Sequence, residues 1–221
     1  MKKEDKKMEL VDVYNQNYEK IGVASKKLAH KSGLWHKSVV LILLDYNTNE
    51  IVFSLKQPGL YGDYSRPDYL DFATAGHVQH KEEIYDAVLR EINEELGIKI
   101  NDKRTISFVG SRQTSHMISH NFIENEFQFF FVNRNNILNN FKTTDEIRAL
   151  VKIDILELIK LFNGDKKIII GKLISEHGNE NMKINIDHFV HSYINKDQIL
   201  IKIAKLAKNI LYGDEDVELY L

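Results

Sequence analysis

Three glutamates near the middle of the chain have a spacing that could hold a metal ion. Glu91, Glu94 and Glu95 stand at i, i+3 and i+4, so in a helix they cluster on one side. Carboxylates this close repel one another, and partial burial makes their ionisation costly. A divalent cation that prefers oxygen ligands would relieve both problems, and Arg90 could neutralise part of the charge. The residues therefore point to metal-assisted chemistry.

The segment around these glutamates has the periodicity of a helix. We predict the helix over Lys81 to Leu96, with Gly97 as its stop signal. At about 100° per residue, Glu95 projects onto the apolar stripe, Glu91 lies beside it and Glu94 lies further round. The stripe that should face the core consists of Ile84, Val88, Ile92 and Leu96. The alternative interpretation is an acidic solvated face whose arginine is an ordinary ion-pair partner.

The full run GHVQHKEEIYDAVLREINEELGI, residues 76–98, resembles the Nudix box at every defining position. Those positions are Gly76, Glu82, Arg90, Glu91, Ile92, Glu94, Glu95, Gly97 and Ile98. The resemblance implies an α/β (α+β) fold, an α/β/α sandwich around a mixed β-sheet, here with added C-terminal helices. It also implies divalent-metal-dependent hydrolysis of a diphosphate linked to another moiety, such as a nucleoside diphosphate derivative.

The same resemblance implies a role for each residue of the motif. It assigns the Mg²⁺ or Mn²⁺ ligands to Glu91, Glu94 and Glu95. Glu91 or Glu95 would also accept a proton, while Arg90 would orient the carboxylates. Glu82 would be an ancillary ligand or an anchor between loop and helix.

The two glycines of the motif have backbone roles by the same resemblance. Gly76 would allow a close approach of the backbone. Gly97 would close the helix in a left-handed conformation.

The flanking segments resemble a narrower group, the type I isopentenyl-diphosphate isomerases, over roughly Glu9 to Arg134. These enzymes share the Nudix fold and bind a metal through histidines and glutamates. In the segment AHKSGLWH, His30 and His36 match a histidine pair of the isomerases. The sequence Ala-Gly-His that ends at His77 aligns with their Cys-Gly-His, whose histidine binds metal. A structural or exposed histidine is the alternative for each of the three.

A segment with two acids, Ile-Glu-Asn-Glu, matches a Glu-Asn-Glu segment of the isomerases. Glu124 and Glu126 alternate on a predicted strand and should face the same side. By resemblance one would be a ligand and the other a catalytic acid. Glu124 therefore joins His77 and Glu82 as a candidate ligand, and Glu126 is a candidate extra ligand or base. A polar strand face is the alternative.

One departure separates this chain from the isomerases. Their catalytic cysteine is replaced by Ala75, although carbon protonation and deprotonation need groups on both faces of the substrate. The chain also keeps the second half of the motif, REINEELG, complete. We therefore favour a hydrolase, with isopentenyl-diphosphate isomerisation as the alternative. A catalytically silent nucleotide-sensing module is the second alternative, but no basic recognition helix is evident.

Composition limits the classes of partner. The net charge of -2 argues against a general affinity for nucleic acid, and the lack of cysteine excludes disulfides and a thiol nucleophile. The N-terminal segment is charged, and the longest apolar run, Val39 to Leu44, is too short for a membrane span. We expect a cytoplasmic protein that acts on a small-molecule diphosphate, without nucleic-acid or membrane partners. The sequence is compatible with a homodimer.

The predicted elements describe a single domain over residues 1–221. An isomerase-like extension would cover about 1–36, and a C-terminal helical part about 150–221. The predicted strands are Met8–Tyr14, Ser38–Tyr46, Ile51–Lys56, Asp71–Ala75, Arg104–Arg112 and Glu126–Asn133, and the further helices are Ile153–Phe162 and Asp197–Ile210.

Two segments are candidates for determining the substrate. Gln57 to Asp68 contains both prolines and is typical of a surface loop, in which Tyr61, Tyr64 or Arg66 could reach a base or a phosphate. The segment Lys166 to Asn185 has no clear periodicity.

Overall fold

A computed structural model describes residues 9–57, 69–138, 141–142, 144–176, 178–195 and 198–213. The strands in these ranges are β1 (Leu10–Tyr14), β2 (Lys20–Ser25), β3 (Trp35–Asp45), β4 (Glu50–Lys56), β5 (Leu70–Phe72), β6 (Thr74–His77), β7 (Ile106–Ser119), β8 (Phe122–Asn133), β9 (Ile147–Asp154), β10 (Ile169–Ser175) and β11 (Gly178–Ile184). The helices are α1 (Lys26–Ser32), α2 (Ile84–Leu96), α3 (Ile155–Phe162), α4 (His191–Asn195) and α5 (Ile199–Leu211).

Strand β3 organises the sheet. It carries a continuous apolar run, and it pairs with β1, β4, β6 and β8 at different points along its length. The pair β3–β8 is parallel, whereas the other strand pairs described are antiparallel. The predicted mixed sheet is therefore confirmed, and nearly all of β3 is buried because both of its faces are covered.

Helices cover both faces of the sheet. Val40, Ile42 and Leu44 of β3 share one core with α3 and α5. The intervening residues Val39, Leu41 and Leu43 share the other core with α2. This alternation along one strand produces the three layers of the predicted α/β/α sandwich.

Several predicted boundaries were wrong. Helix α2 begins at Ile84, because Lys81 has a left-handed φ of 67° and cannot continue a helix. The segment Asp71–Ala75 forms parts of two strands, β5 and β6. Residue Ile153 belongs to β9, and α3 starts only at Ile155 after Asp154 caps it.

The C-terminal part is also not purely helical. Between residues 150 and 213 the chain forms the end of β9 and the β10–β11 hairpin as well as three helices. Most of the unassigned segment Lys166 to Asn185 is this hairpin.

Most of the predicted loop between β4 and β5 lies outside the described residues. The part concerned is residues 58–68, which include Tyr61, Tyr64 and Arg66. In the described parts of the chain, no helix is both long and apolar enough to cross a membrane.

Candidate functional site

Helix α2 turns two of its three clustered acids inward. Glu95 is only 3% exposed and Glu91 only 8%, whereas Glu94 is exposed. The predicted arrangement on the helical wheel is therefore confirmed. The helix ends as predicted at Gly97, which has a φ of 66° and whose backbone N–H donates to Asn93.

Arg90 connects the acids to the loop that precedes the helix. Its Nη1 donates to Glu91 at 2.6 Å and to Glu94 at 3.1 Å. Its Nε and Nη2 donate to both carboxylate oxygens of Glu82 at 2.8 and 3.0 Å, and Nη2 also donates to the carbonyl of His77 at 2.8 Å. Glu82 also accepts from the Gln79 backbone N–H at 2.8 Å, so it has the geometry of a loop-to-helix anchor.

Gly76 leaves the space that the carboxylate of Glu91 occupies. A Cβ atom at Gly76 would lie 2.0 Å from Glu91 Oε1 and 2.1 Å from its Cδ. No side chain larger than hydrogen fits there unless Glu91 moves. This is the close approach that the motif predicts.

Burial raises the pKa of the two carboxyl groups that face inward from α2, those of Glu91 and Glu95. It raises the pKa of Glu91 to about 7, against the opposing charge and hydrogen bond of Arg90. Burial also raises the pKa of Glu95, although the ammonium of Lys56 lies 2.9 Å from its Oε1. Two buried carboxylates that resist ionisation, with one arginine between loop and helix, form a set that a divalent cation could occupy.

Three histidines from separate elements meet in a second cluster. His30 on α1, His36 on β3 and His77 on β6 have ring nitrogens within 4.8 Å of one another. The closest pair is His30 Nε2 and His77 Nε2, at 3.1 Å. This is ligand spacing for one transition-metal ion, since imidazole suits zinc, copper, iron and nickel.

Backbone carbonyls orient two of these rings. His36 Nδ1 lies 2.8 Å from the Leu34 carbonyl, and His30 Nδ1 lies 3.3 Å from the Ile123 carbonyl. An Nδ1–H donated to a carbonyl leaves Nε2 with its lone pair for a cation. Burial, followed by the neighbouring imidazoles, lowers the pKa of His30 to about 4, so its ring is neutral at neutral pH. His36 Nε2 is buried without a hydrogen-bond partner among the described residues.

Glu126 faces the histidines from β8. Its Oε1 lies 3.5 Å from His77 Nε2 and 3.7 Å from His36 Nε2. Burial opposes its ionisation, but the hydrogen bond and charge of His77, with help from His36 and Ser38, hold the pKa of Glu126 below its usual range. A buried carboxylate beside three imidazoles has the position and charge to serve as a fourth ligand if a cation binds there.

Glu124 lies two residues earlier on the same face of β8. Burial and the charges of Glu126 and Asp71 raise the pKa of Glu124 to about 8. The predicted alternation of these two acids on one strand is confirmed. A metal-ligand role for Glu124 stays a prediction.

Strand β6 separates the two clusters. In its register with β3, Gly76 pairs with Val39 on the face covered by α2, and His77 pairs with Ser38 on the opposite face. Gly76 borders the carboxylates, while the next side chain, His77, joins the histidines. The structure thus gathers the predicted candidates for metal binding into two groups, one on each side of a single strand.

Three polar residues that contact these clusters were not predicted from the sequence. Lys56 contacts Glu95, and Ser38 and Gln128 both donate to Glu126. None belongs to a recognisable motif. The signal that could have found Gln128 is its position as a polar residue inside the apolar run of a central strand. Ser38 stands just before the apolar run of β3 and gave no such signal.

Comparisons with known proteins identify the family of the chain. The family model of the NUDIX domain matches residues 34–170. A protein of Clostridium acetobutylicum, named as an uncharacterized Nudix hydrolase, is 29% identical over 195 residues, 84% of this chain and 92% of that protein. Isopentenyl-diphosphate Delta-isomerase 2 of Aromatoleum aromaticum is 28% identical over 121 residues, and the match spans 52% of this chain and 60% of that enzyme.

Solved structures also align with much of the chain. A protein of Deinococcus radiodurans aligns with a TM-score of 0.49 and 18% identity over 72% of this chain and 91% of that chain. A MutT NUDIX hydrolase of Burkholderia pseudomallei aligns with a TM-score of 0.42 and 16% identity, over 55% of this chain and 84% of that chain. Because the matched residues 34–170 make up more than half of its 221 residues, the chain belongs to the Nudix hydrolase family.

Proposed function

We propose that this chain hydrolyses a diphosphate linked to another moiety and that it uses Mg²⁺ or Mn²⁺ at Glu91, Glu94 and Glu95. The observation that carries the proposal is the inward placement of Glu91 and Glu95 on α2. Burial raises the pKa of both carboxyls although Arg90 and Lys56 contact them, and a bound divalent cation would stabilise their ionised forms. A small-molecule diphosphate in the cytoplasm is the substrate class and compartment that we infer.

The residues of the chain prepare this site in separate ways. When bound, the cation would neutralise non-bridging oxygens of the diphosphate and lower the pKa of a water molecule. Arg90 holds the Glu91 carboxylate against Gly76 and ties the helix to the loop at Glu82. Lys56 fixes one oxygen of Glu95 and leaves that carboxylate on the inner side of the helix. Glu91 or Glu95 is the proton acceptor in this proposal.

A substrate panel tests the proposal. The protein is incubated with Mg²⁺ or Mn²⁺ and with ADP-ribose, dinucleotides, nucleoside triphosphates and isopentenyl diphosphate. The hydrolysis products, which are phosphomonoesters, pyrophosphate or phosphate according to the substrate, and the allylic product are both followed. We expect hydrolysis of at least one diphosphate. Glu95→Gln should reduce turnover about a hundredfold or more, because it removes a ligand or base.

The matched control is Glu83→Gln. Glu83 precedes the same helix and is exposed, and its side chain makes no capping hydrogen bond. We expect its turnover to stay at the wild-type level. Equal activity of wild type and Glu95→Gln would remove Glu95 from the site.

The histidine cluster supports a second candidate function, isopentenyl-diphosphate isomerisation. His30, His36, His77 and Glu126 lie together where the resemblance to the isomerases expects a metal site. We therefore propose that these four residues hold a second divalent cation, whichever reaction the enzyme performs. Ala75 in place of a cysteine argues against the isomerase. Allylic product without hydrolysis of any substrate in the panel would make the isomerase the correct assignment.

A further inference from the structure

A partly to fully buried series of hydrogen bonds reaches the histidine cluster from β7. Arg112 Nε donates to Gln128 Oε1 at 2.6 Å, and Gln128 Nε2 donates to Glu126 Oε2 at 2.8 Å. Arg112 and Gln128 are direct partners in the β7–β8 register, and Gln128 and Glu126 share one face of β8. The three side chains therefore lie in series and end at the carboxylate that faces the histidines.

The chemistry of these groups determines which atom donates and which accepts in each hydrogen bond. An arginine can only donate, so Gln128 must turn its oxygen toward Arg112 and its NH₂ toward Glu126. Ser38 Oγ adds a second donor to the same oxygen of Glu126, at 2.8 Å. Glu126 Oε2 thus accepts two hydrogen bonds, and Oε1 faces His36 and His77.

Burial makes this arrangement costly to break. Gln128 is 7% exposed, and Glu126 and Ser38 are also buried. The guanidinium of Arg112 lies 5.8 Å from the ring centre of Phe130 and 5.6 Å from that of Tyr193, which hold it over the face of the sheet. Hydrogen bonds between buried polar groups favour one geometry of the groups that make them, because breaking them leaves a donor or acceptor without a partner.

We propose that Gln128 and Arg112 are positioning residues that hold Glu126 in the orientation needed to bind a cation together with the three histidines. The inference rests on the second cation site of the proposed function. The partners that orient metal ligands typically contribute about 10- to 100-fold in metal affinity. Gln128 acts on Glu126 directly, and Arg112 orients Gln128.

A titration with Co²⁺ alone tests this, with binding followed by visible absorption. The wild-type protein should bind Co²⁺. His30→Gln should remove the part of the visible absorption that comes from Co²⁺ bound at the histidine cluster. Gln128→Leu should raise the dissociation constant of that part about 10- to 100-fold. Arg112→Gln should raise it by a smaller factor, and the two effects should be less than additive in the double variant, because Arg112 and Gln128 are directly coupled.

Two further variants separate positioning from damage to the fold. Gln128→Asn keeps the amide but is one methylene shorter, so it should also weaken Co²⁺ binding while the far-ultraviolet circular dichroism stays unchanged. Arg134→Gln is the control, since Arg134 follows β8 and donates to Ser107 instead. Its Co²⁺ affinity should match the wild type.

The Co²⁺ titration distinguishes failure of the positioning role from failure of the cation site. If folded Gln128→Leu and Gln128→Asn bind Co²⁺ as tightly as the wild type, the positioning role is wrong and the cation site stands. If the wild type shows no signal that depends on His30, the cation site and the positioning role both fail. Neither result affects the hydrolase proposal, which depends on Glu91 and Glu95.

Discussion

Glu91 should make metal binding depend on pH in the neutral range. Burial raises its pKa to about 7, and a cation needs the ionised carboxylate. We expect affinity for Mn²⁺ to increase as the pH rises through about 7, and a saturating metal concentration to shift the same transition to lower pH. Titrations of Mn²⁺ binding at several pH values measure this. In Glu91→Gln the transition should be absent, and its persistence would assign the titration to another group.

Gly76 should be intolerant of even the smallest side chain. The Cβ of alanine would overlap Glu91 Oε1, so the carboxylate must leave its place beside Arg90. We expect Gly76→Ala to lower turnover roughly a hundredfold, the scale of a displaced catalytic group. Gly22→Ala is the control, since its Cβ would meet Val13 at an ordinary 3.6 Å. Normal turnover in Gly76→Ala would show that Glu91 is not needed where it stands.

Individual residues differed in how far the sequence could predict them. The burial of Glu91 and Glu95 followed from helical periodicity, because both lie on one helix at fixed angles. The histidine cluster needed a resemblance to suggest it, since His30, His36 and His77 come from three elements. Gln128 was unpredictable as a partner of Glu126, because its role depends on an arginine from the neighbouring strand.

At the scale of elements, the capping of α3 makes a stability prediction. Asp154 Oδ1 accepts from the backbone N–H groups of Leu156 and Glu157 at 3.0 and 2.9 Å. Asp154→Ala should lower the free energy of unfolding by about 1 kcal/mol, and Asp154→Asn, which can still cap, should lower it much less. Urea unfolding measures both. Equal losses in the two variants would mean that the cap is not the cause.

The elements that the sequence predicted are those with strong periodicity and deep burial. Strands β3 and β4 and helix α2 belong to this class. Strand β2 was not predicted. It is an edge strand in which Ile21 and Val23 are exposed, so apolar and polar residues do not alternate between a buried and an exposed face. Helix α1 has only seven residues, too few for a helical period to emerge. The β10–β11 hairpin was missed because the residues of β11 are almost all exposed and polar.

For the whole molecule, we expect Mg²⁺ to stabilise the fold. A cation that binds only the folded state adds about 2.7 kcal/mol at one hundred times its dissociation constant. Mg²⁺ is the suitable probe because it prefers oxygen ligands to imidazole. Thermal unfolding with Mg²⁺ and with EDTA measures the difference.

The double variant Glu91→Gln, Glu95→Gln is the control for this effect. It should lose the response to Mg²⁺ and unfold at a higher temperature than the wild type in EDTA near neutral pH. The reason is that a carboxyl with a raised pKa contributes its full stability only below the pKa of the unfolded chain, near 4.5. This stability is lost as the pH rises, and for Glu91 the loss is complete above about 7. An unchanged Mg²⁺ response would place the cation elsewhere.

The four residues of β6 impose a limit on how this protein can change during evolution. Neighbouring side chains of a strand point to opposite faces, so a slip of one residue against β3 would carry His77 to the carboxylate face and replace Gly76 with a side chain that clashes with Glu91. Substitutions can alter either cluster separately. An insertion or deletion within Thr74–His77 would abolish both at once, so related proteins that keep the two clusters should have the same length here.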